Sequence, residues 1–173
     1  MREKIFLIAV IVCIICHMIR LIYELLKHKK MIKANRASFV IIFTNMAILW
    51  VSWVIVCIYD THRIELANMI RYLGISLVGI GLVVFLIALF TIKTLESYEG
   101  DLITTGVYSK IRHPMYFGFI LWLAGLPIYF GALYAFILAF LFIANVLLWR
   151  YLEEKELIER FPAYRNYKKT TLF

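Results

Sequence analysis

Residues 102–116 read Leu-Ile-Thr-Thr-Gly-Val-Tyr-Ser-Lys-Ile-Arg-His-Pro-Met-Tyr, the one long polar interval in the C-terminal two-thirds of a very apolar chain. Apolar blocks flank it, residues 66–92 upstream and 115–130 downstream. A hydrocarbon core takes about 20 helical residues to cross, so the blocks read as membrane helices and the interval as a loop at the membrane surface. Backbone polar groups at that depth are costly unless they are hydrogen-bonded or bind something. Chemistry is therefore sought in this loop first.

The same pattern extends outward. Of the 173 residues 64% are hydrophobic, against about 45–50% in soluble domains. Five apolar blocks, at 5–26, 39–59, 66–92, 115–130 and 132–150, predict an all-α polytopic integral membrane protein. The expected organisation is a single membrane domain over 1–173, with three spans in 1–97 and the loop, a helical hairpin and a cytoplasmic tail helix in 98–173. Arg2 and Lys4 imitate the charged start of a signal peptide, but no small-residue cleavage site follows, so the first block is expected to stay as a helix. Gly125-Leu-Pro-Ile-Tyr-Phe-Gly131 reads as the tight junction of the hairpin.

The net charge of +8 comes from Lys and Arg in short loops and not from one continuous basic face, which speaks for orientation in the bilayer and against a nucleic-acid partner. With five spans the first loop (27–38), the central loop and the tail share one side and hold nearly all the loop Lys and Arg. The positive-inside rule puts that side in the cytoplasm and the N-terminus outside. Cys13, Cys16 and Cys57 lie within apolar stretches and lack a second ligand pair, so buried inert thiols are expected and no metal site. Gly79-Ile-Gly81 has no preceding strand, which excludes a dinucleotide fingerprint. Gly74, Gly79 and Gly81 are instead small residues that let membrane helices approach.

His17, Arg20 and Glu24 share one helical face of the first block. They read either as an Arg20–Glu24 pair snorkelling at the boundary or as a polar patch for a lipid headgroup. In the central loop, His113 is placed at a helix N-cap with Pro114 at the first helical position, and Arg112 with the freed N–H groups would form an anion-binding corner. Tyr108 and Tyr116 offer aromatic faces beside it. An interfacial belt that merely anchors two helix ends is the competing account. In the tail, 100° per residue puts Arg150, Glu154, Leu157, Ile158 and Phe161 on one face, an ion pair within an apolar stripe. Glu153 sits at the stripe's edge, while Glu156 and Glu159 read as solvent charges. A buried Arg150–Glu154 pair fits either a functional or a purely structural role.

Residues 106–116, then the hairpin, then Arg150-x-x-Glu-Glu-x-x-Leu157 and the closing Phe161, Tyr164 and Tyr167 resemble the C-terminal half shared by isoprenylcysteine carboxyl methyltransferases and phospholipid methyltransferases. The resemblance covers roughly residues 98–168. It implies a pocket for S-adenosylmethionine closed by the loop and the tail helix, with a lipid or lipidated small-molecule substrate arriving from the bilayer. Carried over by position, Leu102, Ile103, Tyr108, His113, Pro114, Met115 and Tyr116 would hold the cofactor. A tail glutamate, Glu153 or Glu154, would also touch it, and Arg150 with Glu154 would serve the acceptor. The helical-face argument selects Glu154, whereas counting back from Phe161 selects Glu153. Gly100 stands where some relatives have a histidine. A carboxylate acceptor needs no base; an amine acceptor would draw on Glu154 or His113. Carboxyl methyl transfer is the first reading and phospholipid N-methylation the second. A sterol-type reductase and a non-enzymatic scaffold or transporter are the remaining alternatives, the transporter disfavoured by the lack of internal repeats.

Overall fold

A computed structural model describes residues 1–32, 35–92 and 102–173. Among these the chain is all helical: α1 (Arg2–His28), α2 (Arg36–Tyr59), α3 (Asn68–Ile92), α4 (Pro114–Phe130), α5 (Leu133–Arg160) and α6 (Tyr164–Thr170), with a 3-10 turn at Gly106–Ser109. Gly100 and Lys33 lie outside the described residues.

Among the described residues four helices, α1, α2, α3 and α5, are long and apolar enough to cross a membrane. The fourth apolar block forms α4, whose 17 residues span only ~25 Å at 1.5 Å per residue. The outer faces carry large exposed apolar groups, for instance Phe90 at 74% and Phe140 at 64% exposure. In a chain this apolar such faces meet lipid. Inward, Trp53, Leu49, Leu123, Phe142, Val146 and Trp149 form a close-packed core between α1, α2, α4 and α5.

Two boundaries differ from the sequence reading. The hairpin junction is shorter than residues 125–131: α4 runs through Pro127 to Phe130 and turns at Gly131. That residue has φ +63°, and a Cβ there would strike the Ile64 carbonyl, so glycine alone fits. Secondly, the last span and the tail helix are one continuous α5. With good helix formers from Arg150 to Arg160 and no Gly or Pro, nothing in the sequence stops the helix at the membrane boundary.

At the end far from the loop, Asp60 accepts from the backbone N–H groups of His62 and Ala135, both at 2.8 Å. Arg63 donates to the Phe130 carbonyl at 2.6 Å and Arg71 to that of Tyr129 at 3.0 Å. These bonds fix the ends of α2 and α3 against the α4–α5 turn.

α3 and α4 lie antiparallel through paired glycines. A Cβ on Gly81 would sit 2.5 Å from the Gly118 carbonyl, and one on Gly74 would sit 2.8 Å from that of Gly125. Gly79, by contrast, faces open space and makes no such approach. Gly118→Val is therefore expected to force the two backbones apart and cost about 1–3 kcal/mol, the usual scale of overpacking, while Gly79→Val is expected to be nearly neutral. Thermal unfolding of the two purified variants in matched detergent tests the contrast; equal melting temperatures would remove the glycine contact from the account.

Candidate active site

The loop after residue 101 is held between α5 and α6 by side chains that the sequence places far apart. Tyr164, buried on α6, is 3.0 Å from His113 Nε2, and the Tyr167 hydroxyl donates to the Tyr108 carbonyl. The Arg112 backbone N–H donates to the Leu172 carbonyl at 3.0 Å, and that of Leu172 to the Lys110 carbonyl at 2.8 Å. His113 caps α4 and Pro114 opens it, where the missing proline N–H costs nothing.

Glu154 is the hub of this clamp. It is 4% exposed and accepts from Arg112 Nε at 3.1 Å and Lys168 Nζ at 2.6 Å, with His113 Nε2 at 3.5 Å. The expected Arg150–Glu154 pair is not formed. Arg112 and Lys168, on segments brought in by the tertiary fold, reach the carboxylate, and the Arg150 guanidinium lies 4.5 Å over the Phe173 ring instead. Nor does Arg112 form an anion-binding corner: besides Glu154 it donates to the carbonyls of Thr171 at 2.6 Å and Lys168 at 3.2 Å.

Beside the clamp is a cavity of about 230 Å³. Leu102, Ile103, Tyr108, His113, Pro114, Met115, Tyr116 and Glu153 line it; Glu154 and Arg150 do not. On α5 the lining positions are Trp149, Glu153, Glu156, Leu157 and Arg160, at the i, i+4, i+7, i+8, i+11 spacing of one face. This stripe is turned about one residue from the face the sequence selected. Glu154 points into protein, and Glu153 points into the cavity with its side chain 36% exposed and 3.9 Å from His113 Nδ1.

The cavity has two characters. Its polar end gathers Tyr108, His113, Tyr116, Glu153 and, from α1, Arg20, Glu24 and Lys27. Arg20 pairs with Glu24, while Lys27 reaches Glu156 at 3.4 Å and Lys30 reaches Glu159 at 3.6 Å. Glu156 and Glu159, which read as solvent charges, thus tie the end of α1 to α5. The other end is apolar, lined by Phe39, Ile42, Phe43, Met46 and Trp50 of α2 with Phe85 and Phe119. The Tyr108 hydroxyl is buried without a hydrogen-bond partner among the described residues. Burial, with Glu153 nearby, pushes its pKa well above the ordinary phenol value, so it keeps its proton as a free donor.

Sequence reasoning gave no site role to Lys168, to Tyr164, which it named only within the closing motif, or to the α2 wall. Lys168 and Tyr164 meet the loop only because α6 folds back. The α2 wall occupies a 39/42/43/46/50 spacing that the sequence contains, but nearly every residue of α2 is apolar, so no stripe stands out.

The family model described as phospholipid methyltransferase matches residues 69–164. That segment holds α3 from its second residue, the loop, α4, α5 and the first residue of α6. No curated protein and no solved structure matches the chain.

Proposed function

The chain belongs to the phospholipid methyltransferase family, and from that premise we propose that it moves methyl groups from S-adenosylmethionine to a lipid-like acceptor in the cavity between the central loop, α2 and α5. Family membership makes it a membrane methyltransferase and supports a lipid acceptor. The observation that carries the finer reading is the two-character cavity: a polar end walled by Tyr108, His113 and Glu153, continuous with an apolar end on α2.

The residues fit the cofactor. The unpartnered Tyr108 hydroxyl offers a donor to ribose or adenine, and Leu102, Ile103, Pro114, Met115 and Tyr116 supply apolar and aromatic surface. Glu153, with its carboxylate on the cavity wall, is assigned the α-amino group. Bound there, S-adenosylmethionine supplies a methyl group activated on a sulfonium, open to in-line displacement. The chain's part is to align and to exclude water. His113, fixed by Tyr164 and Glu154, holds the loop against α5; Glu154 acts through that clamp and not by touching the reactants. Arg150, held over Phe173, is given no contact with the acceptor in this reading. By the positive-inside rule, Lys27, Lys29 and Lys30 at the end of α1 support a reading with the polar end in the cytoplasm and the Arg2 end outside.

Two acceptor chemistries remain, each with an observation in its favour. His113 is engaged at Nε2 by Tyr164, and Glu154 is occupied by Arg112 and Lys168. Glu154 is therefore not free as a base, which favours a carboxylate acceptor of the isoprenylcysteine kind. The family description favours a phospholipid amine, for which His113 through Nδ1, or Glu153, is the candidate base on the wall. Membranes containing the chain, incubated with methyl-labelled S-adenosylmethionine, extracted and treated with mild base, separate them. Label released as methanol supports the ester; base-stable label in lipid supports the amine. No chain-dependent label in any lipid fraction overturns the proposal.

A further inference from the structure

The apolar end of the cavity has a floor. Its α2 wall is the single face Phe39, Ile42, Phe43, Met46, Trp50, and from Phe39 to Trp50 it descends ~16 Å. At Trp50 the wall stops. The indole stands edge-on to Phe85 at 5.1 Å between ring centroids and at 89°, with Trp122 at 6.3 Å and Phe119 at 6.4 Å. Beyond Trp50 on α2, Trp53 and Val56 are fully buried in the core, and neither lines the cavity. Trp50 is thus the boundary between space and packed protein. Higher up, Phe43 lines the cavity and is also 47% exposed, so the wall opens to the surrounding hydrocarbon at that rung. α2 lies outside the segment that matches the family model, which covers residues 69–164 only.

We propose that Trp50 is a specificity-determining residue that sets the length of a single apolar chain of the acceptor, whose polar head lies at the Glu153 and His113 end. The inference rests on the reading of this cavity as an acceptor site and adds the class of ligand: a single-chain amphiphile with a tail reaching about half the ~30 Å depth of the hydrocarbon core. A tail that ends at Trp50 buries every methylene. A longer one meets the indole and must bend out past Phe43, losing contact with the wall. Removing the indole opens the space between Phe85, Phe119 and Trp122 below it.

The test uses the full chain in lipid nanodiscs, without S-adenosylmethionine, and a fatty acid carrying a photoactivatable diazirine at the chain terminus. Unlabelled saturated fatty acids from decanoic to octadecanoic acid compete for crosslinking. In the wild type, competition is expected to strengthen with length, then fall once the tail exceeds the floor. In Trp50→Ala the optimum, compared at equal mole fraction of competitor in the bilayer, is expected to move to longer chains. Trp50→Phe, which keeps an aromatic floor and guards against misfolding of the alanine variant, is expected to shift it less in the same direction. The same length profile in the wild type and both variants would overturn the inference, as would crosslinks outside α2, Phe85 and Phe119. Because the assay contains no methyl donor, a length-dependent site in a chain that transfers no label would sustain the inference and sink the methyltransferase reading alone.

Discussion

Glu154→Gln is expected to lower stability by about 3 kcal/mol. The carboxylate is 6% exposed in its side chain and faces Arg112, itself 9% exposed. Glutamine keeps the shape and one acceptor oxygen but leaves the guanidinium without a counter-charge in a place where water cannot replace it. Lys168 is different: its side chain is 44% exposed, so its ammonium is solvated with or without the partner. Lys168→Ala should therefore cost well under about 1 kcal/mol, as exposed pairs do. Thermal unfolding of both variants measures the difference. Comparable losses would mean that the clamp is a surface network, and that the loop is held by its backbone bonds to Leu172 and not by Glu154.

The second large effect is on cofactor affinity. Glu153→Gln is expected to weaken S-adenosylmethionine binding by roughly 10- to 100-fold, the value of one charge-assisted hydrogen bond of about 1.5–3 kcal/mol, with little change in melting temperature because the side chain is 36% exposed. The two neighbouring glutamates then separate cleanly, Glu154 in stability and Glu153 in binding. Equilibrium binding on the purified variants reads one, and unfolding reads the other. Unchanged affinity in Glu153→Gln with full stability would remove this carboxylate from the site.

That separation also marks how far the sequence reading reaches. Residues 102–116 were legible because a polar run of Tyr, Lys, Arg and His between apolar blocks has strong contrast, and His113 with Pro114 carries a helix-start signal that the backbone obeys. The tail was legible as a helix facing the loop but not in its rotation. A helical wheel fixes which residues share a face; it does not fix what that face meets. Glu154 is buried, as an acid in an apolar stripe should be, yet its partner is Arg112, 42 positions away, and only the fold brings them together. The neighbour Arg150 lost that role for the same reason. The α2 wall was illegible on different grounds. Where all positions are apolar, hydropathy cannot separate a lipid-facing residue such as Val51 from a cavity-facing one such as Trp50. The paired glycines of α3 and α4 were half legible: close approach was expected at Gly74, Gly79 and Gly81, and two of the three make it.

The account stands or falls on whether the cavity beside the loop is where the methyl donor sits. Direct ultraviolet crosslinking of methyl-labelled S-adenosylmethionine to the purified chain, followed by peptide mapping, asks this with no acceptor required. Saturable label confined to peptides from residues 102–116 and 149–161, competed by unlabelled S-adenosylmethionine and weakened in Glu153→Gln, is the predicted result. Label on the opposite end, around residues 60–71, or label no greater than in denatured protein, would contradict it.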